Sequence, residues 1–374
     1  MEEILNVCAR LPSAKSPGPN SVPYAFYKTF RAALAPLLAR AFNEAHKRGN
    51  LPESMMEGNI SVLYKKKDRG DPRNYRPITL LNADYKILMR VLTARLNVAA
   101  VQFVSRQQNG FVPGGFIVEN IMLLQMLQAF AEEENIEAFF LFLDMEKAYD
   151  RVSWEYLFEA IKELGYPDDA EGHEHAFIGW VRLAYSHDHP QRRKMYVNGY
   201  LSRSFMLASG VPQGCPASPL FFLFVTEAFI RIIMADNRIK GIVVDGVPHK
   251  LTTYADDATL ISRPNDAPWF DEANYTYCKA TGGRENVSKR EALLVGALAR
   301  DRSRAPRGVA PNDEYAAEGE PIRALGYPIG HNFDVSEWWE GRYMVVKERV
   351  AAWKSTASAS IVGRNMLLQS KYYG

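Results

Sequence analysis

The chain has 374 residues, 47% hydrophobic and 24% charged, which excludes a disordered or low-complexity protein and allows two or three subdomains around a large core. A formal charge of +2 excludes a uniformly basic binder, yet His46 to Arg106 holds twelve Lys/Arg against five Asp/Glu, Glu132 to Glu174 three against fourteen, and Gly341 to the end six against one. Cys8, Cys215 and Cys278 lack paired spacing, excluding a disulfide framework or zinc ribbon, and no secretory pattern opens the chain, so an intracellular setting is expected.

The stretch to about Leu51 reads as helical, interrupted at Lys15-Ser16-Pro17-Gly18-Pro19-Asn20-Ser21, where two prolines around a glycine dictate a turn. Asn59 to Tyr64 alternates and is rich in β-formers. It runs through the basic turn Lys65 to Pro72 into Asn74-Tyr75-Arg76-Pro77-Ile78-Thr79-Leu80, a strand–turn–strand hairpin. From Ala83 to about Val101, Ile87, Leu88, Val91, Leu92, Leu96 and Val98 recur at helical spacing. Gln107-Gln108-Asn109-Gly110-Phe111 reads as a chemically mute loop, and Ile117 to Phe130 as a long helix.

Phe139 to Leu143, an apolar run bounded by charge, predicts a strand buried on both faces. Asp144 stands at its end, where a carboxylate needs a cation or a hydrogen-bond donor. A helix is predicted from Ser153, a good N-cap, to Leu164, closed by Gly165 and Pro167. Two His-x-His pairs follow, His173/His175 and His187/His189. Their spacing admits a zinc site, but no Cys or acidic ligand is read at tight spacing to complete it, and surface histidines are the plainer reading.

Met195 to Tyr200 reads as a hairpin. Ser209-Gly210-Val211-Pro212-Gln213-Gly214-Cys215-Pro216-Ala217-Ser218-Pro219 precedes an apolar helix, Leu220 to Ala235, which is short for a bilayer span and carries Glu227 and Arg231. Glycines ahead of a helix let a nucleotide or nucleic-acid strand lie against the backbone. Lys250 to Ile261 centres on Asp256-Asp257 between apolar and β-branched residues, the pattern of a hairpin with acids at its turn. Asp301 to Glu320 reads as a flexible connector. From Glu337 the chain turns helical and basic, with Trp338, Trp339, Tyr343, Trp353 and Arg364. Asp144, Asp256 and Asp257, converging from two strand ends, suit hard divalent cations such as Mg²⁺. Two such ions side by side activate an attacking oxygen and steady a leaving phosphate oxygen.

Phe142-Leu143-Asp144-Met145-Glu146-Lys147-Ala148-Tyr149-Asp150-Arg151-Val152 and Tyr254-Ala255-Asp256-Asp257 resemble motifs A and C of a reverse transcriptase, in its non-LTR (LINE-type) retrotransposon branch. The run from Ser209 to Pro219 is similar to motif B, with Ala217 where leucine is usual. Gly283, Asn286 and Lys289 resemble motif D, with Arg284 and Glu285 more charged than is usual. Ala324 to Gly330 resembles the Leu-Gly turn of motif E, and the basic hairpin resembles motifs 1 and 2 of the fingers. The Pro-Gly-Pro turn resembles the signature ahead of the fingers, with Asn20-Ser21 in place of Asp-Gly. The Gln107 to Phe111 loop, with its family-specific Gln108-Asn109-Gly110-Phe111 turn, and the helix from Ile117 to Phe130 resemble the segment where the template strand passes, and the likeness covers about Lys15 to Gly374.

The resemblance implies an α+β right-hand polymerase fold with fingers, a ferredoxin-like palm and a partial helical thumb. Residues 1–131 would be the N-terminal extension and fingers with interleaved palm elements, 132–320 the palm, and 321–374 motif E and the partial thumb. It implies RNA-templated DNA synthesis, with Asp144 and Asp256 bridging two Mg²⁺ ions (Mn²⁺ a substitute), Asp257 in support and the Met145 carbonyl completing a shell. Lys65 and Arg76 would contact the triphosphate, Tyr149 would exclude a ribose 2′-hydroxyl, and Gln213 would sit beside the nascent base pair. Gly210, Gly214 and Gly326 would run along template and primer, and Lys289 would protonate the leaving pyrophosphate. Asp150 and Arg151 are expected to pair structurally. The implied partners are an RNA template, a DNA primer and dNTPs, with no membrane; the implied setting is the nucleus when acting at target DNA, or the cytoplasm. Three alternatives stand beside it. An RNA-dependent RNA polymerase is opposed by Tyr149 and Tyr-Ala-Asp-Asp. A group II intron-type reverse transcriptase/maturase would need a maturase domain. A catalytically inactive, retroelement-derived nucleic-acid-binding remnant is opposed by the three intact carboxylates.

Overall fold

The computed structural model describes residues 1–13, 15–65 and 68–354. Three helices come first, α1 (Glu2–Ala9), α2 (Tyr24–Thr29) and α3 (Arg31–Arg48), with the Pro-Gly-Pro turn between the first two. Next come β1 (Glu57–Tyr64), β2 (Tyr75–Leu81), α4 (Ala83–Phe103), α5 (Ile117–Glu133) and β3 (Glu137–Leu143). Helix α6 (Trp154–Gly165) begins where predicted, the Ser153 hydroxyl accepting the Tyr156 N–H at 3.3 Å. Then follow α7 (Ala176–Ala184), β4 (Arg192–Val197), β5 (Tyr200–Leu201), β6 (Phe205–Met206) and α8 (Ser218–Ala235). The chain continues through β7 (Ile242–Val244), β8 (Val247–His249), β9 (Leu251–Tyr254), β10 (Asp257–Ser262), α9 (Ala267–Thr281), β11 (Glu291–Gly296) and α10 (Ala297–Arg300). The last elements are β12 (Ile322–Ala324), β13 (Tyr327–Ile329) and α11 (Val335–Lys354).

The sheet that matters for function runs β11-β3-β10-β9, every neighbour antiparallel. Its chain order, strand, helices, hairpin, helix, strand, is a split β-α-β-β-α-β arrangement. After Glu137, strand β3 is apolar from Ala138 to Leu143 because both faces are covered. Phe139, Leu141 and Leu143 belong to the main core with residues of α6, α8 and α9. Phe140 points the other way and lies level with Ile261 on β10 and Leu293 on β11, on the face where α5 packs. A second sheet runs β2-β1-β4-β5, with β6 also on β4; β1 and β4 are parallel.

Helix α8 is by length and composition apolar enough to cross a membrane, but 61% of it is buried within the protein. Its one acid, Glu227, is fully buried and accepts the Ser105 N–H at 3.0 Å, the Ser105 hydroxyl at 2.5 Å and Arg231 Nε at 2.9 Å. The carboxylate thus ties the end of α4 to the core helix, which explains a charge in an otherwise apolar run.

Two expectations are corrected. The stretch after Asp301 is packed up to Tyr315: Val309 and Ala310 are buried, Tyr315 donates to the Pro306 carbonyl at 2.7 Å, and Arg302 reaches the Tyr315 carbonyl at 2.9 Å. Side-chain-to-backbone bonds within the segment replace the missing strand ladder. Arg151 does not pair with Asp150 but lies 3.9 Å from Glu146, because the 3₁₀ turn Ala148–Arg151 sends adjacent side chains in different directions.

The chain divides into two compact units, Met1–Tyr315 and Ala316–Gly374. The second holds the β12–β13 hairpin, whose turn residues Leu325 (φ +50°) and Gly326 (φ +89°) are both left-handed, and helix α11. On α11, Arg342 lies over the Trp338 ring at 4.7 Å. Arg364 and the side chain of Trp353 lie outside the described residues, as do Lys66 and Lys67 of the basic turn.

Candidate active site

Adjacent antiparallel strands bring the three acids together. Ala258 on β10 lies opposite Leu143 on β3, so one residue further along the pair Asp257 comes level with Asp144. Tyr254 and Asp257 close a two-residue hairpin loop, Ala255-Asp256, which places Asp256 at its tip. The tight loop puts Ala255 at φ +57°, a conformation uncommon for a residue with a Cβ.

Asp256 and Asp257 keep an open surface, yet protein crowds the shell around their carboxylates. Burial, then repulsion from Asp256 and Asp144, pushes Asp257 up to about 6. Asp256 is raised by burial and by Asp144, and is drawn back down by the positive charges of Arg76 and Lys65. Across the cluster, Lys289 Nζ lies 2.9 Å from Asp144 Oδ2.

These features fit a divalent cation. Three hard oxygen donors repel one another, and an ammonium group already occupies the position of a counter-charge on Asp144. The backbone on either side of Met145 is used, Glu146 N–H donating to the Arg284 carbonyl and Asn286 N–H to the Asp144 carbonyl, both at 2.8 Å. Among the described residues nothing donates to the Met145 carbonyl itself.

Several other predicted positions of the first unit connect to this cluster. Arg76 and Lys65, on the β1–β2 hairpin, lie near enough for their charges to be felt at Asp256. Tyr149 stacks on Phe222 of α8, centroids 4.6 Å apart and planes 17° from parallel; burial and the negative charge of Asp256 raise its pKa. The glycine-rich loop is knitted to these segments by backbone bonds. Gly210 N–H donates to Val152, Val211 N–H to Tyr149, and Thr79 N–H to the Gln213 carbonyl, at 2.8, 2.8 and 2.7 Å.

Two glycines there answer to the protein's own backbone. A Cβ on Gly210 (φ +86°) would stand 2.6 Å from the Asp150 carbonyl oxygen, and one on Gly214 (φ +125°) 2.3 Å from that of Thr79. Gly326 belongs to the second unit, where a Cβ would meet open space.

Sequence reading missed Glu285 and Arg290. Glu285, expected only as an odd charge in motif D, is buried and ion-paired with Arg290, which also reaches Asp271 at 2.8 Å. The pair anchors the strip from Arg284 to Asn286 that brackets Met145. The only hint in the sequence was a Glu–Arg spacing of five residues, which is uninformative outside a helix.

Among the described residues the two His-x-His pairs form no common site. His173 Nδ1 meets Asp169 at 3.0 Å, His175 caps α7, and His187 Nε2 meets Glu155 at 2.7 Å. Contrary to expectation, acids do lie close: Asp169, Glu171 and His173 present ligand atoms within 4.8 Å of one another, all on the exposed surface.

Residues 64–329 match the family model described as reverse transcriptase (RNA-dependent DNA polymerase), and the chain belongs to that family. Its relatives are retrotransposon proteins, in keeping with the non-LTR resemblance. It is 29% identical to the "Transposon TX1 uncharacterized 149 kDa protein" of Xenopus laevis over 98% of this chain and 27% of that protein. It is 30% identical to the "Probable RNA-directed DNA polymerase from transposon BS" of Drosophila melanogaster over 71% of this chain and 28% of the relative. A third, the "RNA-directed DNA polymerase from mobile element jockey" of the same fly, is 27% identical over 70% of this chain and 27% of its own length. The chain therefore spans little more than a quarter of these relatives. The family match carries with it a polymerase palm-and-fingers fold and the use of a divalent metal.

Proposed function

We propose that this chain is the polymerase region of a non-LTR retrotransposon protein and copies RNA into DNA by adding dNTPs to a primer 3′-hydroxyl. The observation that carries this reading is the meeting of Asp144, Asp256 and Asp257 at adjacent strand ends, within reach of the positive charges of Lys65 and Arg76. On this reading the β11-β3-β10-β9 sheet is a ferredoxin-like palm and the β2-β1-β4-β5 sheet belongs to the fingers. The segment from 321 onward carries motif E and the start of a thumb.

Asp144, Asp256, Asp257 and the Met145 carbonyl would hold two Mg²⁺ ions, or Mn²⁺ in their place, which supply Lewis acidity at the primer hydroxyl and the phosphates when bound. The chain's own residues do the remaining work. Arg76 grips phosphate oxygens with a planar fork and Lys65 neutralises them as a point charge, holding the α-phosphorus toward the primer end. Tyr149 fills the space of a 2′-hydroxyl, Gln213 abuts the nascent base pair, and Gly210, Gly214 and Gly326 keep the backbone slim along template and primer. Lys289 must leave Asp144 before passing a proton to pyrophosphate. Action in the nucleus at target DNA, or in the cytoplasm, is part of the same proposal.

Primer extension on poly(rA)/oligo(dT) with dTTP and Mg²⁺ tests it, and a ladder of DNA products is expected. Folded protein that binds the primer–template yet makes no product with Mg²⁺ or Mn²⁺ would be a binding remnant instead. An Arg76→Ala variant is expected to raise the KM of all four dNTPs by about 10- to 100-fold, since the triphosphate is common to them. Steady-state kinetics with each dNTP checks this; a defect confined to one base would assign Arg76 to the base or template.

A further inference from the structure

The loop read as chemically mute grips the turn that carries Asp256. Gln108 is buried, and its Oε1 accepts the Ala255 N–H and the Gly110 N–H, both at 2.8 Å, while Nε2 reaches the Ala255 carbonyl at 3.4 Å. One side-chain amide thus meets both backbone groups of the left-handed residue, as a neighbouring strand would.

The loop's backbone continues the grip. Thr253 N–H donates to the Gln107 carbonyl at 2.8 Å, and Asn109 N–H to the Thr253 carbonyl at 3.1 Å. Behind it stands Asn120 of α5, also buried, whose Nδ2 bonds Thr252 Oγ1 at 2.7 Å and the Thr253 carbonyl at 2.9 Å. Asn120 Oδ1 in turn accepts Asn109 Nδ2 at 3.0 Å. Gly110 is where the two segments touch: a Cβ there would stand 2.3 Å from the Ala255 nitrogen.

A two-residue turn with alanine at φ +57° has no internal reason to hold one shape, since a Cβ disfavours that region. Asp256 sits at the tip, so any drift of Ala255 moves its carboxylate. We propose that Gln108 is a positioning residue for catalysis, with Asn120 as its brace, and that together they fix Asp256 and Asp257 through the backbone of Ala255 and Thr253. This rests on the reading of those aspartates as catalytic. Gln108 acts without touching substrate, so its loss should slow the chemical step and leave binding alone.

The first probe is Gln108→Met, which keeps the volume and removes the three bonds; Asn120→Ser, which cuts only the outer brace, is the milder second. Gln108→Met is expected to lower kcat by roughly 10- to 100-fold, with dNTP KM and primer–template Kd within about threefold, because ångström-scale misplacement costs rate and not affinity. Asn120→Ser should give the same split with a smaller loss. Amide hydrogen exchange on the same proteins, without nucleic acid, should speed up across Leu251 to Asp257 and stay unchanged in Glu137 to Leu143. Gln108→Glu, which keeps the accepting oxygen, should restore protection at Ala255 and Gly110.

An unchanged kcat per folded molecule in both variants overturns the proposal. So does a loss carried by KM, or faster exchange in Glu137 to Leu143 as well, which would mean general loosening. If the unsubstituted protein makes no DNA, the polymerase reading falls, while the exchange data still decide whether Gln108 holds the turn.

Discussion

An Asp256→Asn variant is expected to lose nucleotide incorporation by about three orders of magnitude or more while binding primer–template within about threefold of the parent. Asn is nearly isosteric, so the turn keeps its shape, but a neutral amide is a poor ligand for a hard divalent ion. On the proposed reading, grip on nucleic acid comes from basic residues elsewhere and should survive. The same substitution removes one of the charges that push Asp257 up to about 6, so the Asp257 carboxyl should titrate lower. Single-turnover incorporation, a binding titration and a carboxyl NMR titration read the three effects. Incorporation near the parental rate would remove Asp256 from the metal site, and a large loss of binding would make it part of the grip instead.

Shrinking Tyr149 is expected to admit ribonucleotides. The ring is held against Phe222 at 4.6 Å and lies near enough to Asp256 to feel its charge, so on the proposed reading it forms a stiff wall near the catalytic carboxylates. A stiff wall rejects an added hydroxyl sterically, and Tyr149→Val or Tyr149→Ala should raise UTP use relative to dTTP by about 100-fold, with dTTP use largely kept. The lost stack should cost about 1–3 kcal/mol of stability, less than a fully buried aromatic, because Tyr149 is only partly buried. Competing incorporation of UTP and dTTP, run beside a thermal melt, separates the roles. A variant that melts early and still refuses UTP would leave Tyr149 as core packing.

Much of this architecture was legible beforehand, for reasons that are local. Phe139 to Leu143 reads as a doubly buried strand because no polar residue interrupts it, and Ser153 reads as an N-cap because its hydroxyl suits that position. The acids at the β9–β10 turn could be located because two β-rich runs flank them, and an antiparallel hairpin leaves little choice of register. Pro17-Gly18-Pro19 marked a break between helices, which is where one lies.

What escaped reading depends on partners far apart in the chain. Gln108 looked like a loop residue because its partner, Ala255, is supplied by a hairpin that comes only after helices α5 to α8 and strands β3 to β8. Glu285 looked like a stray charge until Arg290 and the packing around it enclosed the pair. Gly210 and Gly214 suggested room for a nucleic-acid strand; the fold adds a different need, the carbonyls of Asp150 and Thr79 pressing on their Cα atoms. Residue type and spacing, then, were enough to specify β1 to β3, the β9–β10 hairpin, the start of α6 and the three carboxylates, since each follows from backbone and solvation preferences over a few neighbouring residues, whereas β11 and α7 were not read. Which side chains hold those carboxylates in place was settled by chain crossings, because a hydrogen bond between residues 147 apart has no local signature.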